Sequence, residues 1–142
     1  MKSFTDIEQS KKLAEMLPLE SADMHYEYVL PRSNKLKHIP SIGNPVEALE
    51  WYNKGYTHFG KEPLSLKEYC IPCWSLAALI NALPISIKFK DDEYYLRFMK
   101  EYVEYANDEI SLTGRCLHTT GNNNLVDACY EMIEKLHTEN LI

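Results

Sequence analysis

Ile85-Ser86-Ile87-Lys88-Phe89-Lys90-Asp91-Asp92-Glu93-Tyr94-Tyr95-Leu96-Arg97-Phe98-Met99 is the stretch on which the fold turns. Ile85, Ile87 and Phe89 alternate with Ser86, Lys88 and Lys90, a period of two that puts the apolar side chains on one face of an extended chain. Asp91-Asp92 offers a turn and Glu93 to Met99 a returning strand, so the segment predicts a hairpin. Its continuation reads two ways. Tyr95, Phe98, Met99, Tyr102, Val103 and Ala106 also fall at helical spacing, but the tyrosines and Val103 favour strand, and strand is adopted.

Helices flank this meander. Pro72 can start one, in which Trp74, Leu76, Ala77, Ala78, Leu79 and Ile80 leave few polar interruptions before Pro84, so a buried helix is expected. The last helix is capped by Asn124 with Asp127 at N3, carries one broad apolar face and is expected to reach about His137. Near the start, Thr5-Asp6-Ile7-Glu8 matches a capping box, which predicts a helix from Thr5 to Pro18. From Ala22, the residues Met24, Tyr26, Tyr28 and Leu30 alternate with Asp23, His25, Glu27 and Val29, predicting a half-buried strand closed by Pro31. Residues 31–71 are loop-rich, interrupted by a helix from Pro45 to Lys54 that Gly55 would stop as a left-handed cap, and by one turn at Ser65 to Tyr69. Strands and helices do not alternate as βαβ units. The expected architecture is α+β: a single domain over residues 1–142 with a small antiparallel sheet and about four helices packed mainly on one face.

Composition is that of an ordinary globular chain: 142 residues, 45% hydrophobic and 11% aromatic, with 21 acidic against 15 basic side chains. No apolar run approaches the roughly 20 residues that cross a bilayer, and the charged N-terminal stretch lacks the apolar core of an export signal, so a cytoplasmic protein is expected. A net charge of −6 disfavours nucleic acid as a partner. The excess is local. Residues 91–109 hold seven carboxylates against Arg97 and Lys100, a solvated face in the plain reading and a docking patch centred on Glu101, Glu104 and Asp108 in the sharper one. The tyrosines and Trp51 outnumber what one helix face can hide, so some are expected at the surface, where they would suit a protein-binding patch.

One local motif reads as chemistry. Cys70-Ile71-Pro72-Cys73 at a helix start resembles the redox dithiol of thioredoxin-like proteins, since free backbone amides there would stabilise a thiolate. The plainer reading is two small apolar thiols packed beside Trp74. Cys116 and His118 could join Cys70 and Cys73 around zinc, but Cys116-Leu117-His118 has one residue between ligands where a metal-binding turn usually has two or more. Cys129 sits on an apolar helix face and reads as core. The five histidines form no paired metal signature, no spacing nominates a catalytic pair, and glycine-rich phosphate loops are missing. No catalytic residue and no cofactor are assigned.

Pro72-Cys73-Trp74-Ser75-Leu76-Ala77-Ala78-Leu79, Leu17-Pro18 with Ser21-Ala22-Asp23-Met24, and Val126-Asp127-Ala128-Cys129 with Met132-Ile133 and Lys135-Leu136 carry a resemblance. In these stretches the chain resembles small uncharacterised proteins encoded in prophages and mobile elements of gut Bacteroidetes. The resemblance implies a shared fold and supplies no activity, cofactor or site residue. It does not extend over Pro31 to Glu68 or residues 91–121, where individual function is expected to reside. Together these readings lead to the expectation of a non-enzymatic accessory protein that binds another macromolecule, with a thiol redox or zinc module on Cys70 and Cys73 as the alternative.

Overall fold

A computed structural model describes residues 1–58, 60–107, 115–121 and 124–142. The elements in chain order are α1 (Ile7–Met16), β1 (Met24–Glu27), β2 (Ser41–Ile42), α2 (Pro45–His58), α3 (Leu66–Tyr69), β3 (Cys70–Cys73) and α4 (Leu76–Ala82), then β4 (Ser86–Phe89), β5 (Asp92–Phe98), β6 (Tyr102–Asn107), β7 (Arg115–Gly121) and α5 (Leu125–Thr138). The protein is α+β, with one antiparallel sheet ordered β2-β1-β3 and another ordered β4-β5-β6-β7. The chain divides into two compact units, one of Phe4–Ala78 and one of Met1–Ser3 with Leu79–Ile142. Each contains one sheet.

In the unit Phe4–Ala78 the expected single sheet gains a companion because Cys70-Ile71-Pro72-Cys73 is a strand rather than the start of a helix. Proline lacks the N–H that a central strand must donate. Among the described residues β3 ladders with β1 alone, which makes it an edge strand where Pro72, opposite His25, is tolerated, and just past it Phe4 bridges to Ser75. All four residues of β3 are buried, and α1 and α2 both approach it. Around Tyr26, Ile71 and Cys73 pack Phe4, Ile7, Met24 and Leu36.

Three further boundaries differ from expectation. The cap of α1 is Asp6, not Thr5: the Asp6 carboxylate accepts from Gln9 N–H at 2.9 Å, and the Gln9 side chain accepts from Asp6 N–H in return. Thr5 is instead fully buried, bonded through Oγ1 to Ser10 Oγ and accepting from Trp74 N–H at 3.2 Å. β1 ends at Glu27 well before Pro31, and Tyr28 makes only an isolated bridge to Leu36. Within β1 both His25 and Tyr26 are buried, so the strand is covered on its polar side as well as its apolar side. Finally, α2 runs through Gly55 to His58. Gly43, at φ +124°, takes the unusual backbone turn instead, just before the Asn44 side chain accepts from Val46 N–H and Glu47 N–H at the head of α2.

The second unit is the expected meander. β4 and β5 pair from Ser86 opposite Tyr95 to Phe89 opposite Asp92, leaving Lys90 and Asp91 as the connection, with Lys90 at φ 56°. Residues 93–106 are strand at both ends, as the tyrosines and Val103 require. A bulge at Tyr105/Ala106 interrupts the register with β7. α5 packs on β6 and β7, burying Val126, Cys129, Met132, Ile133 and Leu136, with Val103 and Tyr105 fully buried on the sheet. Its cap is Asn124, whose side chain accepts from Asp127 N–H at 2.8 Å.

Candidate functional site

A dense polar constellation lies in the unit Phe4–Ala78 and is built on β1. Extended geometry places His25 and Glu27, two residues apart, on the same face. His25 is 2% exposed. Its Nδ1 lies 2.9 Å from the Gly43 carbonyl oxygen and its Nε2 lies 3.0 Å from Glu27 Oε1. Lys37 Nζ donates to Glu27 Oε2 at 2.6 Å, and the Tyr69 hydroxyl donates to Oε1 at 3.1 Å. Burial alone would raise the Glu27 carboxyl, but hydrogen bonds from Lys37, His25 and Tyr69 outweigh it and hold the group below the usual carboxylate range. Burial and the adjacent Glu27 charge push the Tyr69 hydroxyl well above the usual tyrosine value, so it remains a donor.

Tyr69 leads from this hub to the surface. Its ring meets that of Tyr52 on α2 at 4.9 Å between centroids, tilted by 38°. Tyr52 in turn lines an open groove of about 580 Å³ with Leu30, Pro31 and Leu64, and with Arg32, Lys61 and Glu62 as its charged members. Local bonds tie the segments that line the groove. Asn53 on α2 donates to the Leu64 carbonyl at 2.9 Å and accepts from Leu64 N–H at 2.8 Å, which ties the segment before α3 to α2. On the other side, Arg32 adopts φ 62°, a left-handed conformation that costs an ordinary side chain about 1 kcal/mol or more, and its guanidinium lies 3.5 Å from Glu68. Glu68 closes the capping box of α3 with Ser65. Leu30 is 68% exposed, and beside Tyr52 on α2 Trp51 is 75% exposed under the Lys54 ammonium, 5.6 Å from its ring centroid.

The residues singled out from sequence fall elsewhere. Cys70 and Cys73 lie in β3, 2% and 0% exposed, with Trp74 fully buried next to them. A strand rise of about 3.3 Å per residue separates their Cα atoms by roughly 10 Å and points their side chains to opposite faces, whereas a disulfide needs less than about 7 Å. The expected helix start is thereby corrected: Cys70–Cys73 is a strand, and the helix end that Cys70 caps is the C-terminus of α3, which presents carbonyl oxygens rather than free amides to a thiol. Burial, then the Glu27 charge, push the Cys70 thiol up to about 12, and burial also raises Cys73 against the opposing hydrogen bond from Thr5. Cys116 and His118 are both on β7, but the register bulge separates their pairing, Cys116 opposite Ala106 and His118 opposite Tyr105. Cys116 is exposed and its thiol sits 2.7 Å from Thr119 Oγ1, while His118 Nε2 meets the Glu139 carboxylate just past α5. Among the described residues no three His, Cys, Asp or Glu side chains gather as a metal site.

The acidic segment is also divided. Glu104 on β6 is bonded across the strand pair to Arg97 on β5, at 2.8 Å from Nη2 and 3.0 Å from Nε. Glu101 is exposed in the turn before β6, and Asp108 lies outside the described residues. Of the aromatics expected at the surface, Trp51 and Tyr95 are exposed, while Tyr26, Tyr94 and Tyr105 are core; the side chain of Tyr56 and residue Phe59 are outside the description. His25 and Glu27 were legible only as outward positions of a half-buried strand. The signal that would have separated them is their i, i+2 spacing, which brings a base and an acid to one face.

No family model matches the chain, and no curated protein or solved structure matches it either. Among the described residues no helix is long and apolar enough to cross a membrane.

Proposed function

We propose that the protein is a non-enzymatic accessory protein that binds another protein, and that the groove beside Tyr52 is where the partner docks. The observation that carries this reading is the groove's composition: an aromatic face and exposed aliphatic side chains, edged by charges of both signs, are the materials of a protein-binding hot spot with a polar rim. The nearby titratable groups support binding over turnover. Glu27 is committed to three donors, and both nitrogens of His25 already face acceptors. The resemblance to prophage and mobile-element proteins fits an accessory role, and a cytoplasmic location goes with it.

The acidic segment is the weaker seat for the partner, because Arg97 neutralises Glu104 at the middle of it. A photo-crosslinking amino acid placed at Leu30 in the groove, and separately at exposed Ile85, tests the assignment in cell lysate. A discrete adduct is expected from position 30 alone, displaced by excess wild-type protein and not by excess Tyr52→Ala. Equal adducts from both positions, or equal displacement by both competitors, would contradict it.

A further inference from the structure

His25 offers an inference independent of the binding reading, because its two ring nitrogens meet groups that can only accept. Nδ1 faces the Gly43 carbonyl oxygen at 2.9 Å, and Nε2 faces Glu27 Oε1 at 3.0 Å. A neutral imidazole has one N–H and one lone pair, so in either tautomer it would aim the lone pair at an oxygen lone pair inside a site that is 2% exposed. Protonating Glu27 instead would remove that clash, but Lys37 and Tyr69 both donate to its carboxylate and keep it ionised.

We propose that His25 is a buried imidazolium that latches residues 37–43 onto β1, and that this latch opens when the ring loses a proton. The segment is tied at one end to β1 and at the other to the residue just before it. Lys37 N–H donates to the Glu27 carbonyl at 3.0 Å, and Gly43 N–H donates to the Asp23 carbonyl at 2.8 Å. Between them, β2 pairs with β1 through only two residue pairs, Met24 with Ile42 and His25 with Ser41. Two ladder pairs are a short anchor, so the side-chain bond from His25 to Gly43 is a substantial part of what holds this strand.

The groups facing the ring from each neighbouring element are consistent with a cation. From β1 it meets the Glu27 carboxylate, and from the loop before β2 the Lys37 ammonium, which is bonded to the far oxygen of that carboxylate. From α3 the Tyr69 ring lies 6.0 Å away, with Tyr52 of α2 behind it, and from β3 Pro72 stands opposite in the ladder with Cys70 opposite Glu27. Among the described residues Glu27 is the one carboxylate bonded to the ring, and it is shared between the two cations. An ionised carboxylate holds the remaining N–H more strongly than a carbonyl does, so loss of one ring proton leaves Nε2–H on Glu27 and takes the donor from Gly43. The consequence is local: a freed Gly43 carbonyl and a two-residue strand without its side-chain tie.

Long-range ¹H–¹⁵N correlation spectra of the uniformly labelled full chain, read together with amide exchange, test both halves of the proposal. Near neutral pH both ring nitrogens of His25 are expected at imidazolium positions, and Glu27→Gln is expected to return one of them to the neutral position. As pH is raised until the His25 signals change, amide exchange at Gly43, corrected for intrinsic base catalysis, is expected to accelerate at least tenfold while exchange at Val103 on β6 does not. A single protonated ring nitrogen at neutral pH would overturn the buried imidazolium. Unchanged protection at Gly43 across the ring's deprotonation would overturn the latch.

Discussion

At Cys70 the thiol's chemistry is set by what surrounds the sulfur: burial first and the Glu27 carboxylate second push it up to about 12, and burial alone does the same for Cys129. Thiolate is the reactive form, so a thiol raised that far is almost wholly protonated at mildly alkaline pH as well as shielded from reagent. With an excess of a water-soluble disulfide reagent at about pH 8, the native protein is therefore expected to react quickly at Cys116 alone. Cys70, Cys73 and Cys129 should follow only in denaturant, and peptide mapping would show the order. Rapid native labelling of Cys70 or Cys73 would contradict their place in a covered strand. The four-letter run could not convey this from sequence, because the spacing of a redox dithiol and the spacing of two thiols on opposite faces of a strand are identical on paper. His25 shows the same limit. Its neighbours in space, Gly43, Lys37 and Tyr69, are 12 to 44 residues away, brought in by loop and strand pairings that no local window contains.

For whole elements the readable features were those decided locally. The β4–β5 hairpin followed from alternation plus a turn, and α5 followed from an asparagine cap, an aspartate at N3 and one broad apolar face. β3 was hidden by Pro72, whose tolerance depends on the strand being at a sheet edge. β7 was hidden because Arg115–Gly121 lacks a clean alternation and is placed by pairing with β6 across a bulge. α2 supplies a direct check of one boundary. Gly55 was expected in a left-handed cap but is helical, exposed, and has nothing within 4 Å of where a Cβ would sit. Gly55→Ala should thus stabilise the protein by about 0.5–1 kcal/mol, read as a higher denaturant midpoint at unchanged slope. Destabilisation by a similar amount would restore the cap and shorten the helix.

Across the molecule, the α+β class was legible, while the division of strands between two sheets was not, since it rests on β1 pairing with β3 across more than forty residues of chain. The candidate site was less legible still. Leu30, Tyr52 and Leu64 come from three separate stretches inside a region that reads as loop, and only their tertiary placement makes a groove. The negative segment looked more promising in sequence because charge can be counted there, whereas the ion pair between Arg97 and Glu104 becomes visible only when β5 and β6 are placed side by side. The decisive measurement is a titration of the crosslinked partner, once purified, against wild-type protein, Tyr52→Ala and the double variant Glu101→Lys with Glu104→Lys. A docking site at the groove predicts about tenfold or greater weakening for Tyr52→Ala, ~1.4 kcal/mol, with the charge-reversed variant binding within about twofold of wild type. The opposite pattern, with Tyr52→Ala unchanged and the charge reversal abolishing binding, would contradict the account and move the partner to the four-stranded sheet.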